Sequence, residues 1–105
     1  MAKELIKLSE AKVNGKNLVA EYISSMAKGH QVKYDARMAS VRAGNLGKIN
    51  SVGEGVHEFK FKFGLRVYYG YESGTVILLL CAGDKGSQKD DIKLAKEIWK
   101  AYRKG

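Results

Sequence analysis

The residues best suited to chemistry are basic, and two of them sit in one alternating run. In Val56-His57-Glu58-Phe59-Lys60-Phe61-Lys62-Phe63 the odd positions carry Phe59, Phe61 and Phe63. Strand side chains alternate, so Lys60 and Lys62 are expected on one face, opposite the phenylalanines. Arg66 lies on the next run, Leu65 to Tyr71, and Tyr68 shares its parity. Lys85 follows a third, apolar run, where a loop would bring it over the sheet edge. Such groups bind phosphates. Held around one phosphodiester, they would also help to cleave it. Attack by RNA's own 2′-OH needs a proton acceptor, a proton donor for the leaving oxygen, and positive charge on the developing phosphorane. Lys and Arg supply the charge, and a Lys crowded by cations becomes a better base. Tyr68 is the tyrosine expected to stack a base or donate a proton. On these residues alone, an ordinary solvated strand face accounts for Lys60 and Lys62 equally well.

Other constellations are poorly supported. His57 shares the parity of the phenylalanines and reads as structural, and His30 reads as an exposed turn residue. Tyr69 and Tyr71 share the parity of Val67 and read as core-facing. One cysteine and two histidines leave little for a zinc site. Cys81 lies inside the apolar run TVILLLCAG and reads as a buried small hydrophobe, which suits a reducing compartment. There is no G-x-S-x-G elbow. The stretch GNLGKINSVGEG has Gly47-Lys48 followed by Ile49, with no strand before it, so it reads as plain turns rather than a nucleotide loop. No metal and no cofactor is expected.

These side chains need a scaffold. Residues 3–9 are expected to form a short edge strand. Asn17 can cap a helix running to about Lys28, with Val19, Ile23 and Met26 on its stripe and Gly29 as its stop. A second helix is expected from about Val32 to Ala43, carrying Tyr34, Met38 and Val41. Glu72-Ser73-Gly74 reads as a hairpin turn, and Thr75 to Cys81 as the central strand. Ser87 is expected to cap a last helix, with Asp90 in capping-box position. Ile92, Ala95, Trp99 and Tyr102 should dock that helix on the sheet. Lys89, Lys93, Lys96, Lys100 and Arg103 recur on another face of it as a basic stripe. The 105 residues fit one domain of the α+β class, with no internal repeat or linker.

Nineteen Lys and Arg against eleven Asp and Glu give a net charge of +8, which favours an anionic partner. The start of the chain lacks the apolar core of a signal peptide, and Val76 to Ala82 is too short to span a bilayer. A cytoplasmic location and no membrane partner are therefore expected.

The segments ARMASVRAGNLGKINSVGEGVHEFKF, LRVYYGY and VILLLCAGDKGSQKDDIKLAKEIW resemble the RelE/ParE toxin superfamily, most closely its HigB-like branch. The resemblance covers about residues 36–99, and RVYYGY and LLLCAGDKGSQKDDIKLAKEIW are its most specific parts. It implies a small RelE-like fold: an antiparallel or mixed sheet with two N-terminal helices and one C-terminal helix packed on it. It also implies a toxin neutralised by a co-encoded antitoxin, of helix-turn-helix type, with operator DNA reached only through that complex. RelE- and HigB-like members cleave mRNA in the ribosomal A site, whereas ParE-like members inhibit DNA gyrase. In the nuclease branch an alternating K-x-K is functional, which Lys60 and Lys62 match. A third-strand arginine matches Arg66, and a basic residue after the last strand matches Lys85 loosely. Tyr102 is a candidate for the usual C-terminal tyrosine, although its spacing favours core packing. The turn between the K-x-K and Arg66, Phe63-Gly64-Leu65, is shorter than the G-P-G-Y-R-V form common in relatives. The expectation is thus a ribosome-dependent mRNA endoribonuclease whose basic stripe on the last helix contacts ribosomal RNA. A gyrase inhibitor, or a non-catalytic antitoxin- and operator-binding member, stands as the alternative.

Overall fold

The computed structural model describes residues 5–104. Within them the chain runs β1 (Lys7–Glu10), β2 (Lys12–Val13), β3 (Lys16–Asn17), α1 (Leu18–Ser24), α2 (Lys28–Arg42), β4 (Ile49–Gly53), β5 (Val56–Lys60), β6 (Arg66–Ser73), β7 (Val76–Gly83), a 3-10 turn (Lys85–Ser87) and α3 (Gln88–Lys104). The main sheet has the order β1-β7-β6-β5-β4, with β1 parallel to β7 and the other pairs antiparallel. It is a small α+β molecule with a mixed sheet and three helices. The first strand begins at Lys7, and Lys3 and Glu4 of the expected strand lie outside the described residues.

Both faces of the sheet are covered, because its inner strands are apolar on both sides. On one face Val19 and Ile23 of α1 and Tyr34, Met38 and Val41 of α2 pack on Phe59, Val67 and Tyr69. On the other, Ala95 and Trp99 of α3 pack on Val56, Tyr68 and Leu80. One open sheet face with helices only behind it is therefore not what the chain forms. β7 is an apolar strand buried on both sides, and covering it needs a layer on each. It lies inside the sheet, while β6 takes the middle position.

Three local expectations are corrected. Gly29 does not end the first helix; it lies in the first turn of α2 with His30. The break comes earlier, at Ser25–Ala27, where the Ser25 hydroxyl donates to the Tyr22 carbonyl and Gln31 Nε2 donates to the Met26 carbonyl. The short polar side chain competes for the helix's own carbonyls. The supposed plain turns contain β4, an edge strand paired with β5. Its hairpin turns on Glu54 and Gly55, both at positive φ (55° and 81°), the geometry of a type I′ turn. Asn14 and Gly15 turn the β2–β3 hairpin in the same way (51° and 78°). Lastly, Asp84 rather than Ser87 caps the entry to α3: its carboxylate accepts from the backbone N–H of Gly86 and Ser87. Ser87 Oγ instead donates to Asp91 Oδ2, not to Asp90, at 2.5 Å.

Candidate functional site

The C-terminal ends of β5 and β7 and the N-terminal end of β6 meet at one end of the sheet. Lys60 pairs with Arg66, and Arg66 pairs with Gly83, so a single row crosses three strands. Lys85 begins the turn just past Gly83 and is exposed. The short Phe63-Gly64-Leu65 connection leaves this register intact: the Phe61 N–H donates to the Leu65 carbonyl, and Gly64 turns at φ 96°. Lys60, Arg66 and Lys85 are thus brought to one end of the sheet.

Glu58 organises this end, and the alternation misread it. Its parity with Lys60 would put it on the same solvated face, yet it is 1% exposed. Its carboxylate lies 3.6 Å from Arg66 Nε and 3.9 Å from Lys60 Nζ, and it accepts from Gln88 Nε2 at 2.9 Å. Gln88 opens α3, so the first turn of that helix closes over the carboxylate. A buried carboxylate needs such partners. Here it lies against the Nε edge of Arg66 and the amine of Lys60. The signal that would have found Glu58 is the helix: α3 covers the even-numbered face, so an acid there had to be buried and paired.

Two expected residues stand elsewhere. Tyr68 is fully buried beneath α3, across from Cys81. It cannot stack a base. Burial, and then the Glu58 carboxylate, raise its pKa, so it is a core hydroxyl rather than a proton donor at neutral pH. Lys62 is not on the strand; β5 ends at Lys60 and Lys62 is exposed in the following turn. It lines a second basic feature, a cleft of about 600 Å³ between α2 and that turn.

His57 stacks on Tyr69 at 5.4 Å and meets Tyr71 edge-on, packing with the aromatic side as its parity requires. Tyr69 is buried, while Tyr71 is 36% exposed at the strand's end. His30 is half-buried rather than exposed, stacked at 4.1 Å on Phe63. Of the basic stripe on α3, Lys89, Lys93, Lys100 and Arg103 are exposed. Lys96 is half-buried and paired with Glu54 at 3.4 Å. The Arg103 guanidinium lies 5.6 Å from the centre of the Trp99 ring. Tyr102 does not enter the core: it is 43% exposed and stacks on Trp99. Among the described residues no helix is long and apolar enough to cross a membrane.

No family model matches the sequence. An uncharacterized protein of Haemophilus influenzae is 41% identical over 68 residues, which span 63% of this chain and 69% of that protein. No solved structure matches.

Proposed function

We propose that this chain, which belongs to the same family as the uncharacterized Haemophilus influenzae protein, is the toxin of a toxin–antitoxin pair that cleaves mRNA on the ribosome. The observation that carries this reading is the row Lys60–Arg66–Gly83 with Lys85 just beyond it. It gathers cations from three strands where one phosphodiester can meet them. The resemblance of RVYYGY and of the block around Lys85 to RelE/ParE toxins agrees with it.

In the reaction the 2′ oxygen bonds to the adjacent phosphorus as its proton leaves. The bond from phosphorus to the 5′ oxygen breaks, and that oxygen takes up a proton. The products are a 2′,3′-cyclic phosphate and a 5′-hydroxyl, with no change of oxidation state. Arg66, held by Glu58, stabilises the charge on the phosphorane. Lys60 and Lys85 are the exposed groups able to exchange protons there. A site with so little acid–base equipment gains from a second body that positions the substrate, which is the part the ribosome would play. The antitoxin, of helix-turn-helix type, would silence the toxin by covering this end, and the complex rather than the toxin would meet operator DNA.

The burial of Tyr68 and the hold of Glu58 on both Lys60 and Arg66 favour one other reading, a non-catalytic member that only binds its antitoxin and operator complex. Mapping mRNA 5′ ends after a pulse of expression separates the two. Codon-phased cuts that vanish in Arg66→Ala support the nuclease. Intact messages with blocked supercoiling by gyrase would assign the protein to gyrase inhibition, and absence of toxicity to the non-catalytic reading.

A further inference from the structure

The cleft between α2 and the β5–β6 turn adjoins the Glu58 cluster at Lys60, which lines it. Its walls carry Lys33, Lys48 and Lys62, and its floor Phe61 and Phe63. Among the described residues no carboxylate lines it. Among the described residues the ion pairs are Lys60–Glu58, Arg66–Glu58 and Lys96–Glu54, so Lys33, Lys48 and Lys62 are cations without acidic partners. This sets them apart from the row at the sheet end, where Glu58 already neutralises part of the charge. Arg37 also lines the cleft but is committed to its frame. Its guanidinium donates to the carbonyls of Lys60, Lys48 (2.7 Å) and Leu46 (3.4 Å), and stacks on Phe61 at 4.9 Å. That one side chain fixes the loop before β4, the end of β5 and α2 relative to one another, so the cleft is preformed. Phe63 is held by His30 on α2 and by Phe61.

Unpaired lysines around aromatic rings suit single-stranded nucleic acid: phosphates meet the cations and a base lies against a ring. We propose that this cleft holds single-stranded RNA, with Lys33, Lys48 and Lys62 on its phosphates and the half-buried Phe63 ring against a base. Lys60 lines the cleft and pairs with Arg66, so the strand leads from here to the sheet-end cations. The choice of RNA rests on the nuclease reading; the cleft extends that site along its substrate.

The probe is a fluorescently labelled single-stranded oligoribonucleotide, titrated by anisotropy at several salt concentrations. For Lys33→Ala/Lys48→Ala the slope of log K against log salt becomes shallower by about 1.4, because each phosphate contact on a single strand contributes about 0.7. Phe63→Leu, which keeps the apolar packing, weakens binding about tenfold with the slope unchanged. Lys12→Ala/Lys16→Ala on the β2–β3 hairpin, two exposed lysines outside the cleft, leaves the slope as it was. Both lysine double variants keep the wild-type thermal midpoint, since the exchanged lysines are exposed. Equal losses in the cleft and hairpin variants would reduce the effect to bulk charge and overturn the proposal. So would unchanged binding by Lys33→Ala/Lys48→Ala, or equal cleft-dependent binding of duplex DNA. Cleft-dependent RNA binding alongside intact messages in expressing cells would uphold the cleft and remove the nuclease reading.

Discussion

Glu58 is the residue on which the sheet-end cations depend. Removing one partner of a buried ion pair leaves the other unmatched. Arg66 and Lys60 keep some access to solvent, which softens that penalty. Glu58→Gln is therefore expected to lower stability by about 2 kcal/mol, read as a fall in the urea midpoint at unchanged slope. Cys81 makes a prediction of opposite character. Burial, and then Asp91, push its thiol up to about 12 from an ordinary 9.0. Its proton is held more tightly in the folded protein than in the unfolded chain, so its contribution to stability is intact below pH 9 and is lost as pH rises toward 12. Burial raises Tyr34, Tyr68 and Tyr69 in the same direction. Denaturant midpoints should hold steady to about pH 9 and then fall, and a thiol reagent at pH 8 should modify Cys81 only on unfolding. Rapid modification of the native protein would contradict this. Sequence alone made Cys81 legible, since an apolar run around a lone cysteine predicts burial. It misplaced Glu58 and Tyr68, because alternation tells which residues share a face but not whether a helix covers that face.

At the scale of elements, Trp99 of α3 seats on β6 over a glycine. A Cβ added at Gly70 would lie 2.7 Å from the Trp99 ring, so this mid-strand glycine gives the indole its place. Gly70→Ala is expected to cost about 2–3 kcal/mol by overpacking. Combining it with Trp99→Leu should cost less than the sum of the two single changes, a coupling that a double-mutant cycle in urea would register. The helix stripes were legible: Tyr34, Met38 and Val41, and Ala95 with Trp99, are the residues that α2 and α3 bury. The apolar pattern of β7 was legible too. What failed were the boundaries set by backbone chemistry. Gly29 suits a helix stop by type, but Ser25 and Gln31 take the carbonyls first. β4 was hidden in a glycine-rich stretch whose Glu54-Gly55 pair is a hairpin turn.

In the whole molecule the sheet is a partition. The α3 face and the α1–α2 face each have their own core, and the basic residues emerge where the partition ends. Lys60 and Arg66 flank one short turn, and the pairing of β6 with β7 brings Lys85, just past Gly83, to the same end. The excess positive charge would speed the meeting with RNA, and that effect should weaken as salt rises. The central claim is that this end cuts mRNA, and the most direct measurement uses purified ribosomes programmed with a defined message. Cleavage is followed by primer extension with wild type and Arg66→Ala side by side. Cuts are expected at a fixed phase of the A-site codon, with products ending in 2′,3′-cyclic phosphate and a loss of at least about a hundredfold in Arg66→Ala. An uncut message, or equal cutting by Arg66→Ala, would contradict the claim.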